Sequence, residues 1–430
     1  MSLIGPGKGF KGSISLAGDK SISHRLILFS LLHHGSFKLR NLSACDDVKT
    51  SLAAIKTLGA TIDRDNTEEI TIRGPDKKTA AESVEIFCGN SGTTARLLSG
   101  ILAGLPGRFV LTGDNSLSQR PMQRIADPLS MMGAEIKTTK SKLPIEIIGQ
   151  SRLNPITYQM PVASAQVKSA ILVAATRAAG TTTISEPSPS RDHSEILLAH
   201  LGAKLQCKDN QISLDGPFLS RGDYCFNIPA DVSSAAFFVV AALLIPQSEI
   251  SIENVLLNPT RTHFLQVLKR MGANIQTSIT ANNFELTGTI KAAYSPKLQS
   301  TDILPEEVPA LIDEIPAIST AMAFAKGVST IKGAQELRVK ESDRIKVLCE
   351  AFRACGIKVE ENDEGYSITG TEEISSEHRL KTYSDHRMAA AFSILALKSK
   401  SGIFVEDLDS VKISFPEFFS IFLPCFNARL

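Results

Sequence analysis

At 430 residues the chain is too long for one ordinary hydrophobic core, which predicts two domains of about 200 residues each. Its 46 Lys and Arg are balanced by 45 Asp and Glu, so no general basic field marks a nucleic-acid binder, and any anionic ligand must be met by a local cluster of cations. Tryptophan is absent, which leaves little to stack bases on, and the seven cysteines form no CxxC, which points to a reducing compartment and away from a zinc site.

The first residues, 1–12, have neither the apolar core of a secretory signal nor the Arg-rich, acid-poor character of a transit peptide. The most apolar run, Ala235 to Ile245, is about half the length needed to span hydrocarbon. A soluble cytoplasmic protein is expected, with no membrane partner.

Phe10 to Leu16 reads as a strand, and after it the chain repeats itself. A helix ending in Gly-Ala or Gly-Ile and turning into an alternating strand occurs at Leu58-Gly-Ala, Met132-Gly-Ala, Leu201-Gly-Ala, Met271-Gly-Ala and Cys355-Gly-Ile, at spacings of 74, 69, 70 and 84 residues. Glycine just past a helix end permits the left-handed backbone that stops it. Each unit also has a more apolar helix rich in small residues: Ser21 to Leu32, Ser91 to Ala103, Ala165 to Ala179, Ser233 to Ile245, Ile318 to Phe324 and Arg387 to Leu397. Their breadth of apolar character predicts burial, whereas the helices ending in Gly-Ala are amphipathic and should lie outside.

Six units that cannot bury their apolar faces singly predict a three-plus-three assembly. The expected domains are residues 20–229, and residues 1–19 with 230–430, the amino-terminal strand completing the second. The last unit ends near Phe418 without a returning strand. If the buried helices of each half begin at one end of their domain, their free N–H groups and dipoles favour anions in a cleft between the halves.

Polar residues stand at those helix starts. Lys20-Ser21 precedes the first, with Arg25 one turn in; Asn90-Ser-Gly-Thr-Thr-Ala-Arg96 opens the second, its Gly92 and Thr93 in a tight turn suited to holding an anion with backbone donors; Ser164-Ala-Gln166 opens the third. Arg120, fixed before Pro121, suits bidentate contact with a carboxylate or phosphate, and Arg191 adds a cation to the same half. In the other half, Asp313 ends an apparent strand before a helix with Pro316 in its first turn, where an acid is ordinarily a cap. Lys340, Glu341 and Arg344 put one carboxylate among cations where a loop enters a helix, a pattern that also suits a solvated surface. Asp385-His386-Arg387 lacks a nucleophilic Ser or Cys at an identifiable elbow, which argues against a hydrolase triad.

Together with Ser414-Phe-Pro, these motifs resemble those of the 5-enolpyruvylshikimate-3-phosphate synthase family over essentially the whole chain. The resemblance implies a two-domain inverse α/β barrel of six βαβαββ units closing around phosphoenolpyruvate and shikimate 3-phosphate, with no cofactor and no metal, and a monomer is expected. It implies transfer of the enolpyruvyl group to the 5-hydroxyl of shikimate 3-phosphate through a tetrahedral ketal, with release of phosphate. Lys20, Asn90, Gly92, Thr93, Arg120, Gln166, Arg344 and Arg387 would bind phosphoenolpyruvate. Lys20, Ser21, Arg25, Ser164, Gln166, Arg191, Asp313 and Lys340 would bind shikimate 3-phosphate, and Asp313, Glu341 and Lys20 would be catalytic.

Three positions depart from the common pattern. Ala165 replaces the second serine of a pair and resembles the branch described as glyphosate-tolerant, Glu336 stands where many members have Asn, and Ile413 where many have Lys, so that cation is missing unless Lys412 substitutes. The related transferase acting on UDP-N-acetylglucosamine usually carries a reactive Cys before its Arg-Pro pair; the loop from Gly113 to Arg120 has none. A noncatalytic scaffold, or a protein binding RNA ends, would need no convergent acid or a stacking surface, and neither fits.

Overall fold

The computed structural model describes residues 2–64, 69–75, 83–374 and 378–429. The chain divides into two compact units, Gly18–Ile228, and Met1–Ala17 with Pro229–Leu430. Both are α/β and are built from the same small sheet.

The sheet of Val84–Phe87, Gly107–Thr112, Glu135–Thr139 and Lys142–Gly149 is the pattern for the rest. Its first two strands are parallel, joined through the buried helix Gly92–Ala103, and the last two form a hairpin of which Lys142–Gly149 pairs antiparallel with Gly107–Thr112. Lys142–Gly149 turns Leu143, Ile145 and Ile147 into the core while its alternate residues face outward. The outer helix Gln123–Met131 precedes the hairpin and is stopped where Gly133 adopts φ 101°; Gly356 does the same after Arg344–Ala354 at φ 78°.

In Gly18–Ile228, the sheet of His33–Arg40 takes its parallel neighbour from the far end of the unit, Ser220–Asn227. In the other unit Glu249–Leu256 takes Lys11–Ile14 in the same position. The last repeat is truncated. Arg379–Leu380 runs parallel to Ile403–Val405, and the place of the absent hairpin strand is filled by Ser2–Ile4, antiparallel, a strand too short to stand out in the sequence.

The buried helices form the cores. Helix Gly92–Ala103 packs on Lys20–Phe29 and on Ala165–Ala175, approaching the latter so closely that a Cβ on Gly100 would lie 2.2 Å from the Ala170 carbonyl oxygen. In the second unit Val232–Leu244, Ile315–Met322 and His386–Lys398 pack together. Val232–Leu244 is apolar all round from Ala235 onward, and the carboxy-terminal helix Phe418–Cys425 covers it, with Phe418 and Phe422 at 5.8 and 5.5 Å from the Phe238 ring. Each fully buried ring contributes about 1.5–3 kcal/mol of transfer free energy.

Several local expectations are corrected. The third helix stops at Ala175, capped by Thr176, because Ala178 is committed to a bridge with Leu153. The fifth begins earlier, at Ile315, and ends at Met322. Asp313 does not end a strand; it follows a short 3-10 turn, Val308–Ala310, and the residue at the helix cap is Glu314.

Candidate active site

In Gly18–Ile228 the first turns of the three buried helices are tied together by polar side chains. Asp19 caps Lys20–Phe29, its carboxylate accepting from Ile22 N at 2.9 Å, and Lys20 Nζ lies 3.0 Å from Asp47 Oδ2. Arg25 is buried. It donates from Nε to Ser194 Oγ at 2.8 Å, from Nη2 to Ser169 Oγ at 2.9 Å and from Nη1 to the Ser21 carbonyl at 3.1 Å. Two hydroxyls and a carbonyl thus fix the orientation of the guanidinium.

The Asn90 turn is a second node. Ser91 caps helix Gly92–Ala103 by accepting from Thr94 N at 3.1 Å, Asn90 Nδ2 donates to Asp114 at 2.7 Å, and Asn90 Oδ1 accepts from Arg120 Nη2 at 2.7 Å. Arg96 Nη1 donates to Gln166 Oε1 at 2.7 Å, and Gln166 Nε2 passes the contact to Thr93 Oγ1 at 3.0 Å. Gly92 sits beneath these groups: a Cβ there would meet Arg96 Nη1 at 2.5 Å and Arg120 Nη1 at 3.4 Å. Ser164 caps the third helix, and its oxygen is spent partly on Val167 N at 3.5 Å.

Arg191 follows a loop held from below. Lys168, fully buried, lies 2.9 Å from Glu186 and 2.6 Å from Glu195 and donates to the Ser190 carbonyl at 3.2 Å. Glu186 also accepts from Ser190 Oγ at 2.6 Å. Burial alone would lower the Lys168 pKa, but Glu195 and Glu186 together raise it, so the ammonium keeps its charge.

The unit of Met1–Ala17 and Pro229–Leu430 has its own cluster, centred on Arg344, whose side chain is 1% exposed. Its Nε donates to Asp385 Oδ2 at 2.8 Å, its Nη2 to Glu341 Oε2 at 2.7 Å, and its Nη1 lies 3.5 Å from Asp313 Oδ1. Burial would lower its pKa, and the carboxylates, Asp385 foremost, hold it above the ordinary arginine value instead. Asp385 is buried too; Arg344 outweighs that burial and lowers its pKa, and Asp385 caps its helix by accepting from Arg387 N at 2.9 Å. Arg387 Nη1 donates to the Asp313 carbonyl at 2.7 Å, and its Nη2 lies 3.7 Å from Asp313 Oδ2. Lys340 is half-buried, and its pKa is lowered by burial and by Arg344, against the pull of Asp313 and Glu341.

Lys340, Glu341, Arg344, Asp313 and Arg387 therefore share one electrostatic cluster. A pocket at the starts of helices Val232–Leu244 and His386–Lys398 is lined by Asp231, Ser233, Arg387 and Ser414. Lys412 is exposed and pairs with Asp409 at 2.5 Å, while Ile413 is half-buried.

Arg96, Asp385, Asp47 and Asp114 join these clusters without standing out in the sequence as site residues. Arg96 lies one turn past Gly92 in a motif already singled out, so its spacing was a usable signal; the acids are defined by partners 24 to 41 residues away and had none.

Residues 4–422 match the family model described as EPSP synthase (3-phosphoshikimate 1-carboxyvinyltransferase). The chain is 42% identical over 418 residues to the 3-phosphoshikimate 1-carboxyvinyltransferase of Thermotoga neapolitana, covering 97% of each. It is also 42% identical over 416 residues to the protein of that name from Coxiella burnetii, covering 96% and 94%. Among solved structures it is similar to an EPSP synthase from Acinetobacter baumannii, with TM-score 0.86 and 37% identity over 99% of this chain and 98% of that one. The enolpyruvyl transferase NikO from Streptomyces tendae, at TM-score 0.78 and 16% identity over 99% and 97%, shares the fold.

Proposed function

The chain belongs to the EPSP synthase family over residues 4–422, and from that membership we propose how its own side chains carry out the family's reaction. The enzyme transfers the enolpyruvyl group of phosphoenolpyruvate to shikimate 3-phosphate, in the shikimate pathway. The carrying observation is the whole-chain match at 42% identity. With the purified protein and phosphoenolpyruvate, phosphate release is expected with shikimate 3-phosphate as acceptor and not with UDP-N-acetylglucosamine; the reverse outcome overturns the assignment.

We assign the phosphate of phosphoenolpyruvate to Lys20, Arg120 and the turn of Asn90, Gly92 and Thr93 with Gln166, and its carboxylate to Arg344 and Arg387. Shikimate 3-phosphate falls to Lys20, Ser21, Arg25, Ser164, Gln166, Arg191, Asp313 and Lys340. The buried Arg25 network and the anchored loop before Arg191 support this, since a preorganised cation spends less conformational entropy on binding.

In the proposed chemistry the 5-hydroxyl oxygen bonds to C2 of phosphoenolpyruvate, its proton passes to Asp313, and Glu341 delivers a proton to C3. This leaves a ketal. The C2–O bond to phosphate then breaks, the phosphate leaving with the proton that Asp313 took up, as a proton leaves the new methyl group for Glu341, restoring the double bond and both carboxyl groups. Arg344 is central to the timing. Its Nη2 donates to Glu341 at 2.7 Å, and a substrate carboxylate that takes over Nη2 would free the Glu341 carboxyl from that contact as the reacting groups come together.

The lowered Lys340 pKa gives a pH test. Its ammonium is the form that binds phosphate, and it is lost as pH rises through a value below the ordinary lysine pKa of about 10.4. The KM for shikimate 3-phosphate is expected to rise on that alkaline limb, and Lys340→Arg to shift the limb upward. An identical limb in the variant assigns it to another group.

Gly92→Ala is expected to raise the KM for phosphoenolpyruvate and to raise the inhibition constant for glyphosate further. The added methyl meets the Arg96 guanidinium, which must give up its bond to Gln166, and overpacking of this kind costs about 1–3 kcal/mol. Equal rises in the two constants, or none, would show that the methyl does not discriminate.

We also place the enzyme in the cytoplasm and expect a monomer. All seven cysteines are free thiols, which supports a reducing compartment. Among the described residues no helix is long and apolar enough to cross a membrane.

A further inference from the structure

The unit Gly18–Ile228 contains a cavity of roughly 190 Å³ that none of the substrate residues line. Its walls include Leu31, Leu58, Leu105, Phe109 and Leu219, and one cation, Arg177, stands among them. Leu31, Leu105 and Arg177 come just after helices Lys20–Phe29, Gly92–Ala103 and Ala165–Ala175. The cavity therefore lies at the carboxy-terminal ends of the helices whose first turns carry Lys20, Gly92 and Gln166. An 11-residue helix separates the two ends of Ala165–Ala175, about 16 Å at 1.5 Å per residue.

Among the described residues Arg177 meets no acid in this cavity. The side chain is half-buried, its Nε is buried without a hydrogen bond, and burial lowers its pKa. Its stem is fixed over Gly104, where a Cβ would come within 2.6 Å of Arg177 Cγ. No Asp or Glu is among the described lining residues. His33 is not a second cation: its Nδ1 is engaged by Ser220 Oγ at 3.0 Å and its Nε2 by the Gly222 carbonyl at 2.7 Å, and burial lowers its pKa.

The remaining surface narrows the ligand. Helix carboxy-termini present carbonyl oxygens that repel negative charge, so an anion is favoured at the Arg177 edge, and the leucines, prolines and Phe109 that make up most of the wall, beside His33 and His34, favour an apolar remainder. Apolar cavities of about 150 Å³ take up benzene. We propose that this cavity binds a small carboxylate bearing a single aromatic ring, its carboxylate paired with the Arg177 guanidinium and its ring among Leu58, Phe109 and Leu219.

Benzoate is the probe, titrated into the full-length enzyme by calorimetry with phosphoenolpyruvate and shikimate 3-phosphate saturating, so that the substrate cations are occupied. Saturable binding is expected. Arg177→Met should weaken it about tenfold or more, as loss of a charge-assisted pair does. Leu219→Trp, which fills the cavity from a half-buried position, should weaken it as well. Turnover without benzoate should be unchanged in both variants, which reports that they fold. The proposal is overturned if benzoate does not bind, if it binds both variants as tightly as the parent, or if it binds only when the substrates are left out.

Discussion

Glu341→Gln is expected to lower kcat by about 10²–10⁴, the usual range for removing a general acid or base, with little change in substrate affinity. Glutamine keeps an oxygen that accepts from Arg344 Nη2, the contact Glu341 makes at 2.7 Å, and Arg344 keeps Asp385 at 2.8 Å. The cluster geometry therefore survives, and what is lost is the proton to be moved. A change confined to the transition state appears in kcat and in kcat/KM alike, with KM unchanged. Full kcat in the variant would remove Glu341 from proton transfer; a raised KM with full kcat would recast it as a residue that merely positions Arg344. Single-turnover measurements separate the two, because they isolate the chemical step from product release.

What could be read ahead of the structure was local. Asn90-Ser-Gly-Thr-Thr and Asp385-His-Arg are helix starts because a side-chain oxygen followed by small or polar residues meets free N–H groups within three residues, and Ser91 and Asp385 do cap their helices. The glycines after Leu58, Met132, Leu201, Met271 and Cys355 all adopt positive φ. Apolar breadth marked out the helices that form both cores. Non-local pairing left no such trace. Ser2–Ile4 is three residues long, and its partner Ile403–Val405 lies some 400 residues later, so nothing in its own pattern signals a strand. Helix Ala165–Ala175 stops four residues before its apolar pattern does, because a bridge outside the helix claims Ala178. The Arg344 cluster was half legible: its spacing to Glu341 put that pair on one side of a helix start, but Asp385, its strongest partner, is 41 residues away and legible as a helix start, not as the partner of Arg344.

Arg344→Met is expected to be the most damaging single substitution in the second unit, to stability as well as to phosphoenolpyruvate binding. The side chain is 1% exposed, and Asp385, its partner, is fully buried. Methionine fills much of the volume but leaves Asp385 in a low-dielectric site without its cation, and breaking a buried pair from one side costs about 3–5 kcal/mol. The pH dependence gives this loss a signature. In the parent enzyme Arg344 lowers the Asp385 pKa, so the pair's contribution is present above the unfolded aspartate value of about 3.9 and is lost as pH falls through the folded value. In the variant burial acts on Asp385 without its main opponent, leaving only His386 and the bonds from Arg387 N and Ser342 Oγ against it, so its pKa rises relative to the parent and the penalty at neutral pH is relieved as the acid takes up a proton. The stability gap between parent and variant, measured by urea unfolding, should therefore be widest near neutrality and narrow steadily on acidification. A gap that is constant with pH would mean the loss is one of packing, and Arg344→Lys should separate the contributions further. Lysine restores the charge but not the fork that meets Asp385 and Glu341 together, so it should recover part of the stability and less of the affinity for the substrate carboxylate.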